Sequence, residues 1–408
     1  MLYQLYNLKK TFLHPILRFF QKQAPIFENT FKDPLIGRNI AGLCDILARV
    51  NHDIKKPDYR INETIVNGET ISVEEEVILD YPFAKLLHFK KAKKLNQPKV
   101  LIVAPMSGHY ASLLRDTVRT MLPDMDTYIT DWKNARDVPL SDGYFSVELN
   151  TGYLIDFLQK IGPGTHMMAV CQPVVQVAAA ASIMNAHKDK CAPATITLMG
   201  GPLDPRVKKT EVNKLAERYS LDWFKQTMLY KVPDEYKGAG RLVYPGVLQL
   251  TAFIMMNPDK HFMKFVKYHT DYIKNDQAAM KKHNEFYDEY LTVMDMDAPW
   301  FVETIDEVFQ RYVFPKGEML YKGETVDPLK VTKTALMTVE GEKDDISAPG
   351  QSYAAHNIFK NIPQNMQEHH LQPGVGHYGV FSGSKWRTFI APKVKNFMLK
   401  HNKPIIWN

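Results

Sequence analysis

The stretch Thr165–Met184, THMMAVCQPVVQVAAAASIM, contains the corner on which the reading of this chain turns. His166–Val170 is a short aliphatic run of the kind that forms a strand buried on both faces. From Val174 the residues are apolar at helical spacing, and Pro173 suits a first helical turn because the N–H it lacks would have no partner there. Cys171 therefore stands at a strand-to-helix corner. Two readings compete. In one, Cys171 is a nucleophile projecting from a sheet edge, with the Gln172 N–H pointing where an oxyanion would form and the helix N-terminus favouring the thiolate. In the other, it is a buried thiol beside a helix start. The glycines of the usual G-x-S-x-G corner are replaced by Ala169 and Pro173.

Working outward, the same strand, loop and helix order recurs. PKVLIVAPMSGHYASLLRDTVRTML, DTYITDWKNARD with FSVELNTGYLIDFLQKI, and TALMTVEGEKDD with the helix-compatible GQSYAAHNIF all repeat it. Uninterrupted aliphatic runs alternating with helices predict a parallel sheet covered on both faces, an α/β architecture. Before it, INETIVNGETISVEEEVILDY places Asn67-Gly68 between two β-rich runs, so the sheet opens with an antiparallel hairpin. Between PATITLMGGPLD and Leu336 the rhythm stops. Residues 205–331 read as a mainly helical, aromatic-rich and Met-rich insertion after the sixth strand. An insertion there sits over the C-terminal edge of the strands, where ligands bind, which makes it a candidate lid. The division that follows is an N-terminal helical segment (1–58), a core (59–204 and 332–408) and the insertion (205–331).

The chain has 408 residues, 45% hydrophobic and 24% charged, ordinary globular usage with core to spare. Its three cysteines are too few and too odd for a disulfide framework, which points to the cytoplasm. Cys44 and Cys191 read as buried thiols. The net charge of +6 is scattered, so nucleic acid is not an expected partner. The segment MLYQLYNLKKTFLHPILRFFQKQ is amphipathic, but charges recur too often for a membrane span. Its apolar face suits the domain itself, a second copy in a homodimer, or an interfacial surface.

The partners of Cys171 decide between the two readings. Asp344 lies in the loop EGEKDDISAPGQ after a strand, three residues beyond Gly341, and Asp345 is the alternative acid. His377 lies in GVGHYGVFSG after the last strand. Cys, Asp, His is the chain order of α/β-hydrolases, with the insertion between nucleophile and acid. His377 then takes the thiol proton while Asp344 orients the imidazole. The loop APMSGHY puts Met106 or Ser107 where the second oxyanion-hole amide belongs, beside that of Gln172. His109 and Tyr378 are candidates to line the substrate. His109 and His166 otherwise read as satisfied structural histidines, and His369 and His370 as strand residues. No metal site and no cofactor is called for.

The segments AVCQP, MGGPLDPRVKKTEVN, VYPGVLQLTAFIMMN, VEGEKDDISAPGQ and GVGHYGVFSG together resemble the intracellular polyhydroxybutyrate (PHB) depolymerases, cysteine-type α/β-hydrolases. The resemblance covers nearly the whole chain and is weakest before Ile61. It implies Cys171 as nucleophile, Asp344 as acid and His377 as base. It also implies a poly(3-hydroxybutyrate) polymer or oligomer as substrate and association with cytoplasmic granules of that polymer. The 3-hydroxybutyryl thioester formed on Cys171 is released by water or by coenzyme A. Polyester synthases resemble the same fold, but their cysteine sits in G-x-C-x-[GA], which AVCQP does not match. A non-catalytic granule protein would not need all three residue types in this order.

Overall fold

The computed structural model describes residues 34–50, 56–256 and 258–407. The amphipathic stretch at residues 1–23 lies outside them. The first element is helix α1 (Pro34–Val50), which carries Cys44. Strands β1 (Glu63–Val66) and β2 (Glu69–Asp80) then form the expected hairpin, pairing Val66 with Glu69. Asn67 and Gly68 both have positive φ, 51° and 83°, as a two-residue turn matched to strand twist requires.

β3 (Ala84–Lys91) follows, antiparallel to β2, a strand that the sequence pattern does not set apart from its neighbours. Its lysines and histidine break any alternation. Lys91 is nonetheless buried, its Nζ donating to the Met125 carbonyl at 2.8 Å. Next come β4 (Lys99–Val103), helix α2 (Arg115–Met121), β5 (Asp126–Trp132), α3 (Val147–Ile161), β6 (His166–Val170), α4 (Val174–Ala186) and β7 (Thr195–Met199). Seven strands, not six, therefore precede the insertion. α3 starts where the Ser146 hydroxyl accepts from the Leu149 N–H at 2.9 Å, a helix cap. α4 is apolar all round and buried from Val174 to Asn185, as a helix enclosed by protein must be.

The insertion holds α5 (Glu211–Arg218), α6 (Leu221–Met228), β8 (Tyr230–Lys231), β9 (Leu242–Tyr244), α7 (Gly246–Met256), α8 (Pro258–Ile273), α9 (Gln277–Tyr290), β10 (Met296–Asp297) and α10 (Ala298–Glu303). α10 widens into a π-helix over Thr304–Gln310. The short pair β11 (Leu320–Tyr321) and β12 (Glu324–Thr325) leads back to the core strands β13 (Ala335–Gly341) and β14 (Gln367–Gln372). The helix expected after β13 shrinks to the single turn Ala355–Ile358. The buried Glu340 carboxylate takes the Gly350, Ser352 and Tyr353 N–H groups at 2.8, 2.8 and 3.0 Å, which holds that segment in a turn.

The main sheet runs β1-β2-β3-β5-β4-β6-β7-β13-β14. It is antiparallel from β1 to β5 and parallel from β5 to β14. Every residue of β6, β7 and β13 is buried, because helices cover both faces. This is the expected α/β-hydrolase architecture. The insertion is clamped at its base by a fully buried ion pair, Arg241 Nη1 to Asp297 Oδ1 at 3.0 Å. Arg241 also donates to the Val138 and Pro139 carbonyls, and Asp297 accepts from the Phe145 N–H, so neither charge is left uncompensated. α1 packs on α8, where the Tyr268 hydroxyl donates to Asp45.

Candidate active site

Since β6, β7, β13 and β14 run parallel, the loops that leave them emerge at one edge of the sheet. Cys171 follows β6 directly and has φ 66°, in the left-handed region. For a residue with a Cβ that conformation costs about 1–2 kcal/mol. The surroundings hold it there: the Cys171 N–H donates to the Met199 carbonyl at 2.8 Å, continuing the ladder one residue past β6. Pro173 caps α4 at φ −74°.

The corner lacks the flanking glycines, and the room comes from the neighbouring strand instead. A Cβ on Gly201 would lie 2.2 Å from the Cys171 carbonyl oxygen and 2.4 Å from a Val174 methyl. Gly200, at φ 52°, leaves a similar gap, because a Cβ there would meet Asp344 Oδ2 at 3.2 Å. Ser352 pins this pair, accepting from the Gly201 N–H and donating to its carbonyl, both at 2.8 Å. MGGP at the end of β7 was the available signal for this, a glycine pair where a strand leaves the sheet.

Asp344 and His377 meet at the same edge. His377 Nδ1 lies 2.8 Å from Asp344 Oδ2, with both side chains buried. The other carboxylate oxygen accepts the Ile346 and Ser347 N–H groups at 3.0 and 2.9 Å, which fixes its plane. Asp345 is exposed. With Nδ1 engaged, Nε2 of His377 is the ring nitrogen left for Cys171. Burial alone would push the imidazole pKa down. The Asp344 carboxylate, the charge of Cys171 and the bond to Asp344 outweigh it and hold His377 well above its ordinary value.

Beside Cys171 is a cavity of about 130 Å³, similar in size to an engineered one that takes a benzene ring. Met106, Ser107 and Gln172 form its polar end, and Met296, Trp300, Phe301, Ile305 and Phe309 of the insertion form apolar walls. The Met106 N–H is not free: it donates to Gln172 Oε1 at 3.3 Å, while Gln172 Nε2 donates to Gln176. His109 and Tyr378 do not line this cavity, contrary to expectation. His109 is turned away to the Tyr290 carbonyl at 3.0 Å, and burial lowers its pKa to about 4. Tyr378 packs edge-on beside His377 and against the Tyr290 ring; burial, then Tyr290, raise its pKa well above normal. His166 is tied to Thr195 and Asn402, and His369 to Thr338.

A family model described as PHB de-polymerase C-terminus matches residues 200–402. The matched span includes Gly200, Gly201, Asp344 and His377 and begins after Cys171. PHB depolymerases are hydrolases. No curated protein matches the chain in sequence. Among solved structures, the chain is similar to a monoacylglycerol lipase of Paleococcus ferrophilus, with 12% identity over 76% of this chain and 98% of that one, at TM-score 0.43. A 2-hydroxy-6-oxo-6-phenylhexa-2,4-dienoate hydrolase from Rhodococcus sp. strain RHA1 shares 11% identity over 81% and 99%, at TM-score 0.44. A thermophilic esterase from Thermogutta terrifontis shares 12% over 84% and 98%, at 0.41.

Proposed function

We propose that this chain cleaves the ester bonds of poly(3-hydroxybutyrate), held in granules, with Cys171 as nucleophile, His377 as acid and base, and Asp344 as the group that orients His377. The observation that carries the reading is the corner itself: a left-handed Cys171 between β6 and α4, together with a His377 whose Nδ1 rests on the buried Asp344 carboxylate and whose pKa is raised by both Asp344 and Cys171.

The chemistry follows from that arrangement. His377, held above its ordinary pKa, keeps the proton it takes from the thiol, so a thiolate is available to attack. Sγ bonds to the ester carbonyl carbon and the carbonyl π pair moves onto oxygen. The oxyanion is met by the Gln172 N–H and by the N–H of Met106 or Ser107. For Met106 to serve, the Gln172 carboxamide gives up its place and the oxyanion takes it; a charged acceptor makes the shorter, stronger bond. Collapse breaks the bond to the chain oxygen, His377 Nε2 protonates that oxygen, and a 3-hydroxybutyryl thioester remains on Cys171. Water, deprotonated by His377, releases the acid; the thiol of coenzyme A would instead release an acyl-CoA. In this reading residues 205–331 are a lid whose apolar wall suits methyl-bearing polymer.

Native amorphous granules and p-nitrophenyl butyrate are incubated with the wild type and with Cys171→Ala, and the wild type is examined by intact-mass spectrometry for the acyl adduct. Turnover that falls about 10⁴-fold or more in the variant, with an adduct of one hydroxybutyryl unit on granules, supports the reading. Equal turnover in both proteins overturns it. Product analysis with and without coenzyme A identifies the acceptor.

A further inference from the structure

The loop that carries the Met106 and Ser107 amides is held by both parts of the molecule. At its start the core fixes Ala104, whose N–H donates to the Thr130 hydroxyl at 2.9 Å and whose carbonyl accepts from the Trp132 indole at 2.8 Å. Met106 and Ser107 follow and line the cavity beside Cys171. The far end of the loop is held by the insertion. The Gly108 carbonyl accepts from the Met294 N–H at 2.7 Å, His109 pairs with Val293 in an isolated antiparallel bridge, and Nε2 of His109 lies 3.0 Å from the Tyr290 carbonyl.

The seam between loop and insertion is tight as well as bonded. Gly108 has φ 93°, and a Cβ on it would lie 3.1 Å from a side-chain carbon of Gln249 in α7. On the insertion side, a Cβ on Gly246 would lie 2.4 Å from the Met294 carbonyl oxygen. Glycine at both positions lets the segments approach this closely. His109 and Met294 are each 1% exposed and Tyr290 2%. Their bonds are therefore shielded from water, where a hydrogen bond is stronger and the loss of a partner costs more.

The chemistry of His109 suits a fixed tether. Burial lowers its pKa to about 4, against a smaller opposing effect of the Tyr290 bond, so the ring is neutral at neutral pH. A carbonyl only accepts, so the hydrogen sits on Nε2 and is donated to Tyr290. His109 stands two residues beyond Ser107, close enough along the chain to set where the loop amides point. We propose that His109 is a positioning residue for the oxyanion hole: its bond to the Tyr290 carbonyl, with that of Met294 to Gly108, fixes the Met106 and Ser107 amides against the Cys171 corner, so that the insertion builds part of the catalytic centre. The assignment rests on the ester-cleavage reading and adds to it what holds the second oxyanion donor in place.

The test sets a reaction that needs the oxyanion hole against one that does not. Turnover of p-nitrophenyl butyrate passes through an oxyanion in both acylation and deacylation. Alkylation of Cys171 by iodoacetamide, in which Sγ displaces iodide, needs the thiolate and forms no oxyanion. His109→Phe keeps a ring and removes the donor. Its kcat and kcat/KM are expected to fall together by about 10²-fold with KM unchanged, while the rate of Cys171 alkylation, followed by peptide mass spectrometry, stays at the wild-type value. His109→Gln, whose carboxamide nitrogen can stand where Nε2 stands, restores most of kcat; His109→Asn, one carbon shorter, does not. Wild-type kcat in His109→Phe overturns the assignment, and so does alkylation that slows as much as turnover, because the corner itself is then disturbed. If circular dichroism shows that His109→Phe does not fold, His109→Gln and His109→Asn decide, and equal kcat in those two overturns the assignment. A wild type that does not turn over the ester overturns the ester-cleavage reading and this assignment with it.

Discussion

The two ends of β6 carry buried histidines with opposite behaviour. At the N-terminal end His166 opens the strand opposite Thr195, the first residue of β7, and its ring is bonded to the Thr195 hydroxyl and the Asn402 amide. At the C-terminal end His377 faces Cys171 and is bonded to Asp344. Burial opposes the imidazolium at both ends. At the first the partners are neutral, and the pKa falls to about 4. At the second a carboxylate and a thiol reverse the direction. Burial is therefore common to both histidines, and the charge of the partner decides which of them is fit to move a proton.

The strongest way to break this contrast is to make the second end resemble the first. Asp344→Asn leaves a hydrogen-bond acceptor beside His377 but removes the charge and permits the wrong tautomer. Turnover is expected to fall by about a thousandfold or more, with the pH profile of kcat/KM displaced as the imidazole pKa drops. Asp345→Asn, at an exposed position, leaves both nearly unchanged. Steady-state kinetics across pH check this, and the reverse ranking would move the acid to Asp345.

A smaller effect comes from the steric support of the corner. Gly201→Ala places a methyl group where the Cys171 carbonyl and Val174 already stand, so the corner must shift. A displacement of about 1 Å in a reacting group costs on the order of 10²-fold in rate. The expected result is that loss in kcat with a lowered Tm; a variant with wild-type kcat would show that the corner tolerates movement.

The third test uses stability. His166 has its folded pKa lowered, to about 4, from an ordinary 6.5. As pH falls below 6.5 the unfolded chain takes up the proton first, so stability is lost between about pH 6.5 and 4, on the order of 3 kcal/mol from this residue. His377 has the opposite sign: with its folded pKa raised, its contribution is fully present below 6.5 and is lost as pH rises through the folded value. His166→Gln should make the acid side of a Tm-against-pH curve shallower and leave the alkaline side alone. An unchanged acid slope would contradict the assignment of His166 as a neutral structural group.

Much of this was legible in the chain itself. The strands β4, β6, β7 and β13 are aliphatic runs, and the Asn67-Gly68 turn announces its hairpin. Such signals are local, set by periodicity and by the φ values that a residue tolerates. β3 escaped because its lysines and histidine find their partners on other strands, as His88 does on Asp126 and Lys91 on Met125. The helix after β13 was overestimated because Glu340, at the strand end, captures the amides that a helix would have used. The Arg241 and Asp297 pair was invisible for the same reason, since the two lie 56 residues apart and are brought together when β9 pairs with β10 inside the insertion.

By itself, then, the sequence determined the alternation of strands and helices, the corner at Cys171, and the chain order of Cys171, Asp344 and His377. These rest on short-range physics, on apolar period and backbone freedom within a few residues. Tertiary structure alone decided that Gly201 supplies the room the corner lacks and that the Gln172 carboxamide occupies the Met106 amide. Each of these depends on which atoms from distant parts of the chain share one small volume, and no local periodicity records that.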